Sequence, residues 1–95
     1  MEDDSQETKE PFGLRFYEEM RSAGLMHWLT RRLSYAEMQE LKKADREGVL
    51  AMFPLAPYAF RKLLRTADMD EIGATIRAEK QKGEMALAIL LAAWS

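Results

Sequence analysis

The sequence predicts an all-α fold, a compact bundle of five to six short helices without a sheet. Apolar residues recur at intervals of three and four along most of the chain, which is the period of an amphipathic helix. No stretch alternates apolar and polar residues in the way that a half-buried strand does. Capping residues, glycines and prolines divide the chain at short intervals, so we expect the helices to be short.

The chain of 95 residues is predicted to form one domain, residues 11–95, behind a short acidic segment. Residues 1–10 contain five acids and one lysine, and they carry no apolar side chain after Met1. Such a segment cannot bury enough apolar surface to offset the entropy lost on ordering. We therefore expect residues 1–10 to be a disordered acidic tail.

The first two helices are predicted at residues 11–23 and 25–33. Phe12, Phe16 and Met20 recur every four residues and give the first helix one apolar stripe. Gly24 follows it and suits the left-handed conformation that closes many helices. The second helix carries leucines at the same spacing of four.

The third helix, predicted at residues 34–52, has the clearest start in the chain. Ser34 stands three residues before Glu37, and this Ser-x-x-Glu spacing is that of a capping box. The charged stretch 42–47 is expected to face water. Gly48 within the helix indicates either a close helix crossing or a helix end.

Residues 53–57 contain two prolines and predict a stiff corner before a fourth helix at residues 57–66. Phe60, Leu63 and Leu64, with Ala67 after the helix, form the predicted core side of this element. Its cations are expected on the opposite side.

Asp68 and Glu71 repeat the capping pattern and predict a fifth helix, which should end near Gly83. The sixth helix contains the apolar run 85–94, unless both form one helix bent at the glycine. This run is half the roughly 20 residues that a membrane span needs. A helix that is apolar all round is usually buried. The favoured interpretation is therefore a core helix, and the alternative is a helix that docks on a second chain.

Residues that carry catalytic or metal chemistry are sparse. His27 is the single histidine, and no acid stands three or four residues away to orient it as a base. Asp68, Asp70 and Glu71 lack the ligand number and glycine turn of a calcium loop, so capping explains them better. The sequence has no cysteine and no glycine-rich phosphate loop. We predict no enzyme activity, cofactor, metal or small-molecule substrate.

Two basic clusters with aromatic neighbours are the candidate partner-binding residues, together with the tryptophan near the end of the apolar run. Arginine, tyrosine and tryptophan are enriched at protein interfaces, and the same combination can bind phosphates and bases. The third interpretation is that these basic residues form a solvated helix face and bind no partner. The candidates are Trp28, Arg31, Arg32, Tyr58, Arg61, Lys62, Arg65 and Trp94.

The predicted function is that of a small non-enzymatic protein–protein interaction module. It would act as an adaptor, inhibitor or assembly factor, and its size also suits an inhibitor of host machinery from a phage or mobile element. Apolar residues at 47% and seven methionines motivate the prediction, because Met-rich surfaces adapt to partners. The alternatives are a nucleic-acid-binding transcriptional regulator, which a net charge of −2 does not favour, and a homo-oligomer built on the terminal helix. A cytoplasmic location is expected.

Overall fold

The computed structural model describes residues 10–91, and these form seven helices and no strand. The all-α class is confirmed, and the radius of gyration of 13.0 Å is close to the ~12 Å expected for a compact chain of this length. The helix number exceeds the prediction of five to six. The helices are α1 (Phe12–Ser22), α2 (Met26–Arg32), α3 (Tyr35–Lys43), α4 (Arg46–Ala51), α5 (Tyr58–Thr66), α6 (Met69–Lys82) and α7 (Glu84–Leu90).

Helix α1 begins and ends as its sequence predicts. Its stripe buries Phe16 and Met20 completely. Gly24 adopts φ +79° just past the helix, and its N–H donates to the Arg21 carbonyl. The next N–H, that of Leu25, donates to the Met20 carbonyl over 3.0 Å. This pair of bonds is a Schellman motif, which satisfies the last carbonyls of the helix and turns the chain into α2.

The predicted third helix is divided in two, which accounts for the additional helix. Ser34 and Glu37 form the expected capping box at the start of α3, with bonds of 2.8 and 3.1 Å. Ala44, however, has an extended backbone with ψ 145°, and Asp45 starts α4 by accepting from the Gly48 N–H over 2.8 Å. Gly48 therefore lies in the first turn of α4. The helix boundary lies at Ala44 and Asp45, shortly before Gly48, and a Cβ built on Gly48 would meet only these two residues, so no other helix crosses closely there.

The break between α3 and α4 allows a backbone hydrogen bond to α1. The carbonyl of Ala44, freed from helical bonding, accepts from the Gly13 N–H over 2.8 Å. This satisfies one of the unpaired donors at the start of α1. Gly13 is buried there, and a Cβ built on it would overlap the carbonyl oxygen of Leu41 in α3. Only glycine allows the two backbones to approach so closely.

Helices α4 and α5 run antiparallel, and each holds the C-terminal end of the other with an arginine. Arg46 of α4 donates from Nη1 to the carbonyls of Leu64 and Ala67, over 2.9 and 2.8 Å. Arg61 of α5 donates to the Phe53 carbonyl and, over 3.3 Å, to that of Leu50. These carbonyls lie at or just after the C-terminal ends of their helices, and those of Leu50 and Phe53 also accept from the N–H groups of Phe53 and Ala56. We call this pair of contacts the arginine clasp.

The arginine clasp overturns two sequence predictions. The stretch 42–47 was expected to face water, yet Arg46 is half-buried and also lies over the ring of Phe12, 4.6 Å from its centroid. Arg61 was expected on the solvent side of its helix, and it is half-buried as well. In both cases the cation lies at the C-terminal end of the neighbouring helix, and the partial negative charge of that end attracts it.

Helices α6 and α7 form a hairpin at Gly83. Asp68 caps α6 as predicted, accepting from the Glu71 N–H over 2.9 Å. Gly83 has φ +125° and ψ 172°, so α6 and α7 are separate helices rather than one bent helix. Two side chains of α6 tie it to α1. Arg77 pairs with Glu19 over 2.9 Å, and Lys80 donates to the Ala23 carbonyl over 2.6 Å.

The core is entirely apolar among the residues that the structure describes. Three phenylalanines stand at its centre, with the ring of Phe53 edge-on to those of Phe16 and Phe60 at centroid distances of 5.6 and 5.7 Å. No polar or charged side chain in this part of the chain is fully buried. The other completely buried large side chains come from helices α1 to α6 and from the residue after α7, and they are Met20, Leu29, Leu41, Val49, Leu64, Ile72, Ile76 and Leu91.

Candidate functional site

The candidate residues on α2 are divided between the core and the surface. Trp28 is only 4% exposed and belongs to the core. The Arg32 guanidinium covers its ring, 3.5 Å from the centroid, in a cation–π contact. Arg31 is exposed. Truncation of Trp28 would therefore open a cavity in the core, in addition to any effect on a partner.

The candidates on α5 separate in the same way. Tyr58, Lys62 and Arg65 lie on the outer side of the helix, and Tyr58 is 76% exposed. Arg61 is held in the arginine clasp and does not share this exposed surface. The structure thus brings together three of the four residues of this cluster.

Two sequence predictions fall outside the described residues. Trp94 lies beyond residue 91, where the described part of the chain stops. The acidic tail was predicted at residues 1–10, and of these the structure describes only Glu10, which is exposed.

A groove with mostly apolar walls lies between α5 and the α6–α7 hairpin. It has a volume of about 240 Å³. Helices α5 and α7 supply its apolar walls, and α6 contributes two polar side chains at one border. We call it the α5–α7 groove, and its lining residues are Pro57, Ala59, Phe60, Leu63, Thr75, Glu79, Ala86, Ile89 and Leu90.

Large apolar side chains project to solvent on the two segments that form the groove. Leu55 and Tyr58, on either side of Pro57, are 72% and 76% exposed. Met85 and Ile89, one turn apart on α7, are 77% and 58% exposed. Among residues 10–91, these are four of the five large apolar side chains that are strongly exposed. An exposed apolar surface of this kind is typical of an interaction site.

The charges around the α5–α7 groove are distributed unevenly. On the α6 side, Glu79 lies 3.1 Å from Lys82 and forms an ion pair with it. On the α5 side, Lys62 and Arg65 are exposed and form no ion pair within the described part of the chain. The segment 54–67 contains no acidic residue at all. Helix α5 therefore carries only positive charges, but neither Lys62 nor Arg65 is among the residues that line the groove.

A second cleft lies between the α1–α2 turn and the α6–α7 turn, with a volume of about 310 Å³. It contains His27, which is exposed, and Lys80. The ammonium group of Lys80 is committed to the Ala23 carbonyl. Across residues 10–91 no cluster of three or more histidine, cysteine, aspartate or glutamate side chains is arranged to hold a metal ion.

The groove residues Ala59, Ala86 and Ile89 are absent from the sequence-based candidates. The spacing of Met85 and Ile89 was a usable signal, because residues four apart share one helix face. The run is apolar on all faces, however, so its pattern does not indicate which face is left outside. That choice is made when α7 buries Leu87, Leu90 and Leu91.

Among residues 10–91, no helix is both long enough and hydrophobic enough to cross a bilayer. Comparison of the chain with protein-family models, with curated proteins and with solved structures finds no match.

Proposed function

We propose that this protein is a non-enzymatic protein–protein interaction module that acts as an adaptor, inhibitor or assembly factor. The observation that carries the proposal is the α5–α7 groove, with the exposed Ile89 in its wall and three more exposed apolar side chains nearby in the sequence. A chain this small gains stability from each apolar group it buries, so leaving Met85 and Ile89 in water costs free energy. A partner that covers them recovers that cost. The cytoplasm is its proposed location.

The size of the groove supports binding of a protein more than binding of a substrate. Pockets for small molecules usually measure roughly 300–1,000 Å³ and enclose most of the ligand, with a few convergent polar groups. The α5–α7 groove, at about 240 Å³, is open and mostly aliphatic. It suits a small number of apolar side chains presented by another surface.

The test is affinity capture with matched variants. Tagged full-length protein is used to capture partners from native lysate, with and without nuclease, and bound proteins are quantified by mass spectrometry. Ile89→Asp and Ala59→Gln alter the groove at residues that are partly or fully exposed, so the fold should survive. Tyr35→Asp is the control, because Tyr35 is 81% exposed at the start of α3, away from the groove.

The proposal expects a stoichiometric protein that persists after nuclease treatment, is lost with both groove variants and is kept by Tyr35→Asp. A partner that all three variants retain would move the interface elsewhere. Captured material that disappears with nuclease would instead favour the nucleic-acid-binding regulator, with Arg31, Lys62 and Arg65 as the residues to test. Circular dichroism of each variant verifies the fold.

Self-association is a second candidate function, and the exposed Met85 and Ile89 favour it, because α7 carries no charge after its first residue, Glu84. In a two-fold dimer the same patch meets itself. The apolar residues of α7 would then meet without repulsion between like charges. Sedimentation analysis of the full chain tests this. A dimer that becomes a monomer with Ile89→Asp supports it, and a monomer at all concentrations excludes it.

A further inference from the structure

We propose that the indole of Trp94 occupies the α5–α7 groove of its own chain in the free protein. This inference goes beyond the proposed interaction function and does not require it. It depends on how close Trp94 is to the groove along the chain, on the volume of the groove and on the polar groups at its border. A partner that uses the same groove must displace the indole.

Trp94 follows closely on residues that line the groove. Ile89 and Leu90 belong to its wall, and the described part of the chain ends at Leu91. Trp94 is three residues further on, so its Cα lies at most ~10 Å from that of Leu91. It also continues the interval of four set by Ala86 and Leu90, and residues at this interval share one face of a helix. The indole therefore needs only a short path to the groove.

The volume of the groove agrees with one indole ring. A cavity of about 150 Å³ with aliphatic and aromatic walls binds benzene. Indole has nine ring atoms where benzene has six, so it needs about one and a half times that volume, or ~225 Å³. The groove measures about 240 Å³. It is therefore large enough for one such ring and too small for two.

The polar groups at the border of the groove match the single donor of an indole. Among the lining residues, only Thr75 and Glu79 have polar side chains. The Thr75 hydroxyl donates to the Glu71 carbonyl over 3.0 Å, so its oxygen is left as an acceptor. The Glu79 carboxylate contacts Lys82 over 3.1 Å and has further acceptor sites. An indole presents one N–H and no acceptor, and its N–H usually finds a partner when the ring is buried.

The composition of the two ends of the chain also favours Trp94 as the occupant. Residues 92–95 are two alanines, Trp94 and Ser95, and none of these side chains is charged. Residues 1–9 contain four acids, which would approach a wall whose one charged residue, Glu79, is itself acidic. A group on a short linker reaches an effective concentration on the order of millimolar at its site. This advantage favours the indole of the same chain over that of a second copy.

Tryptophan fluorescence of the full chain tests the inference. Trp28→Phe leaves Trp94 as the one tryptophan and keeps an aromatic ring beneath Arg32. Because Trp28 is buried, a second readout leaves the core unchanged: the emission of the natural protein minus that of Trp94→Phe. Acrylamide quenching measures the access of solvent to the indole, and the chain unfolded in urea defines full exposure.

Two substitutions on α7 form a matched pair. Ile89→Asp places a carboxylate in the wall of the groove. Met85→Asp is the control, because Met85 is 77% exposed, lies one turn earlier on the same helix and does not line the groove. Circular dichroism verifies that both variants fold.

The emission of Trp94 should lie at shorter wavelength than in the unfolded chain, and acrylamide should quench it less, at every protein concentration. Ile89→Asp should remove both effects, and Met85→Asp should keep them. A partner captured from lysate through the groove should bind Trp94→Ala more tightly than the natural protein, because the indole no longer competes with it.

Other outcomes overturn the inference in distinguishable ways. Emission and quenching equal to those of the unfolded chain would reject it, while capture of a partner that depends on Ile89 would still support the interaction module. Shielding of Trp94 that Ile89→Asp leaves unchanged would place the indole outside the groove. Shielding that disappears on dilution would assign the indole to the groove of a second copy. A shielded indole that Ile89→Asp exposes, with no protein captured from lysate, would support the inference and reject the proposed interaction function.

Discussion

Replacing Arg46 by methionine should destabilise the fold through the loss of the arginine clasp on one side. Methionine keeps the unbranched apolar stem but is shorter and lacks the guanidinium that lies over the ring of Phe12. The two hydrogen bonds to the carbonyls of Leu64 and Ala67, and the positive charge at the end of α5, are removed. The variant therefore removes all contacts of the guanidinium, including the one with Phe12, and keeps the apolar stem.

The expected magnitude follows from these two bonds. A hydrogen bond to a charged group contributes ~1.5–3 kcal/mol, and a cation at a helix C-terminus contributes ~0.3–1 kcal/mol. Arg46 is half-buried, so water can reach part of the vacated space and solvate the carbonyls. We therefore expect a loss of about 2–4 kcal/mol in the free energy of unfolding, or roughly 10–30 °C in Tm for a domain of this size.

Urea denaturation followed by circular dichroism measures the loss. Lys43→Met is the matched control, because it removes one positive charge from an exposed residue nearby in the sequence. Arg46→Lys should recover part of the stability, since a lysine keeps the charge but cannot present the planar guanidinium to both carbonyls. The reasoning is refuted if the free energies of unfolding of Arg46→Met and Lys43→Met agree within ~0.5 kcal/mol.

Three further predictions concern packing and capping. Gly13→Ala should cost about 3 kcal/mol or more in urea denaturation because its Cβ meets a backbone carbonyl of α3, whereas Gly73→Ala meets the ends of flexible side chains and should cost less; equal costs would contradict this. Trp28→Ala should lower the free energy of unfolding by ~3–5 kcal/mol because the indole is buried, and a change below ~1 kcal/mol would show that it is not core. Ser34→Ala should lower it by ~1 kcal/mol through loss of the capping box, and Ser34→Asp, which can still cap, should recover most of this.

The helix ends were predictable where the residues that form them are close in sequence. Ser34 with Glu37, Asp68 with Glu71, and Gly24 after α1 each act on backbone groups within a few residues, so a local pattern is sufficient. The break at Ala44 was not predictable in this way. The partner of its carbonyl is Gly13, in another helix, and nothing near Ala44 in the sequence indicates that contact.

The candidate site was harder to predict than the fold, for a related reason. Hydrophobic patterns assign every cation to water, yet Arg61 turns inward because the end of α4 lies beside it. The same patterns assign apolar residues to the core, yet Ile89 remains 58% exposed because α7 buries its opposite face. Lys62 and Arg65 were identified from sequence, whereas the apolar wall on another face of α5 appeared only once the helices were packed.

The arginine clasp also determines how α4 and α5 open and close. With six and nine residues, both are far below the ~12–15 residues at which an isolated helix is even marginally stable in water. Because each arginine secures the opposite helix, opening one helix releases the last carbonyls of both. The pair should therefore exchange amide hydrogens as a single cooperative unit. A ligand that binds in the α5–α7 groove and stabilises α5 would then slow amide hydrogen exchange in α4, which it never touches.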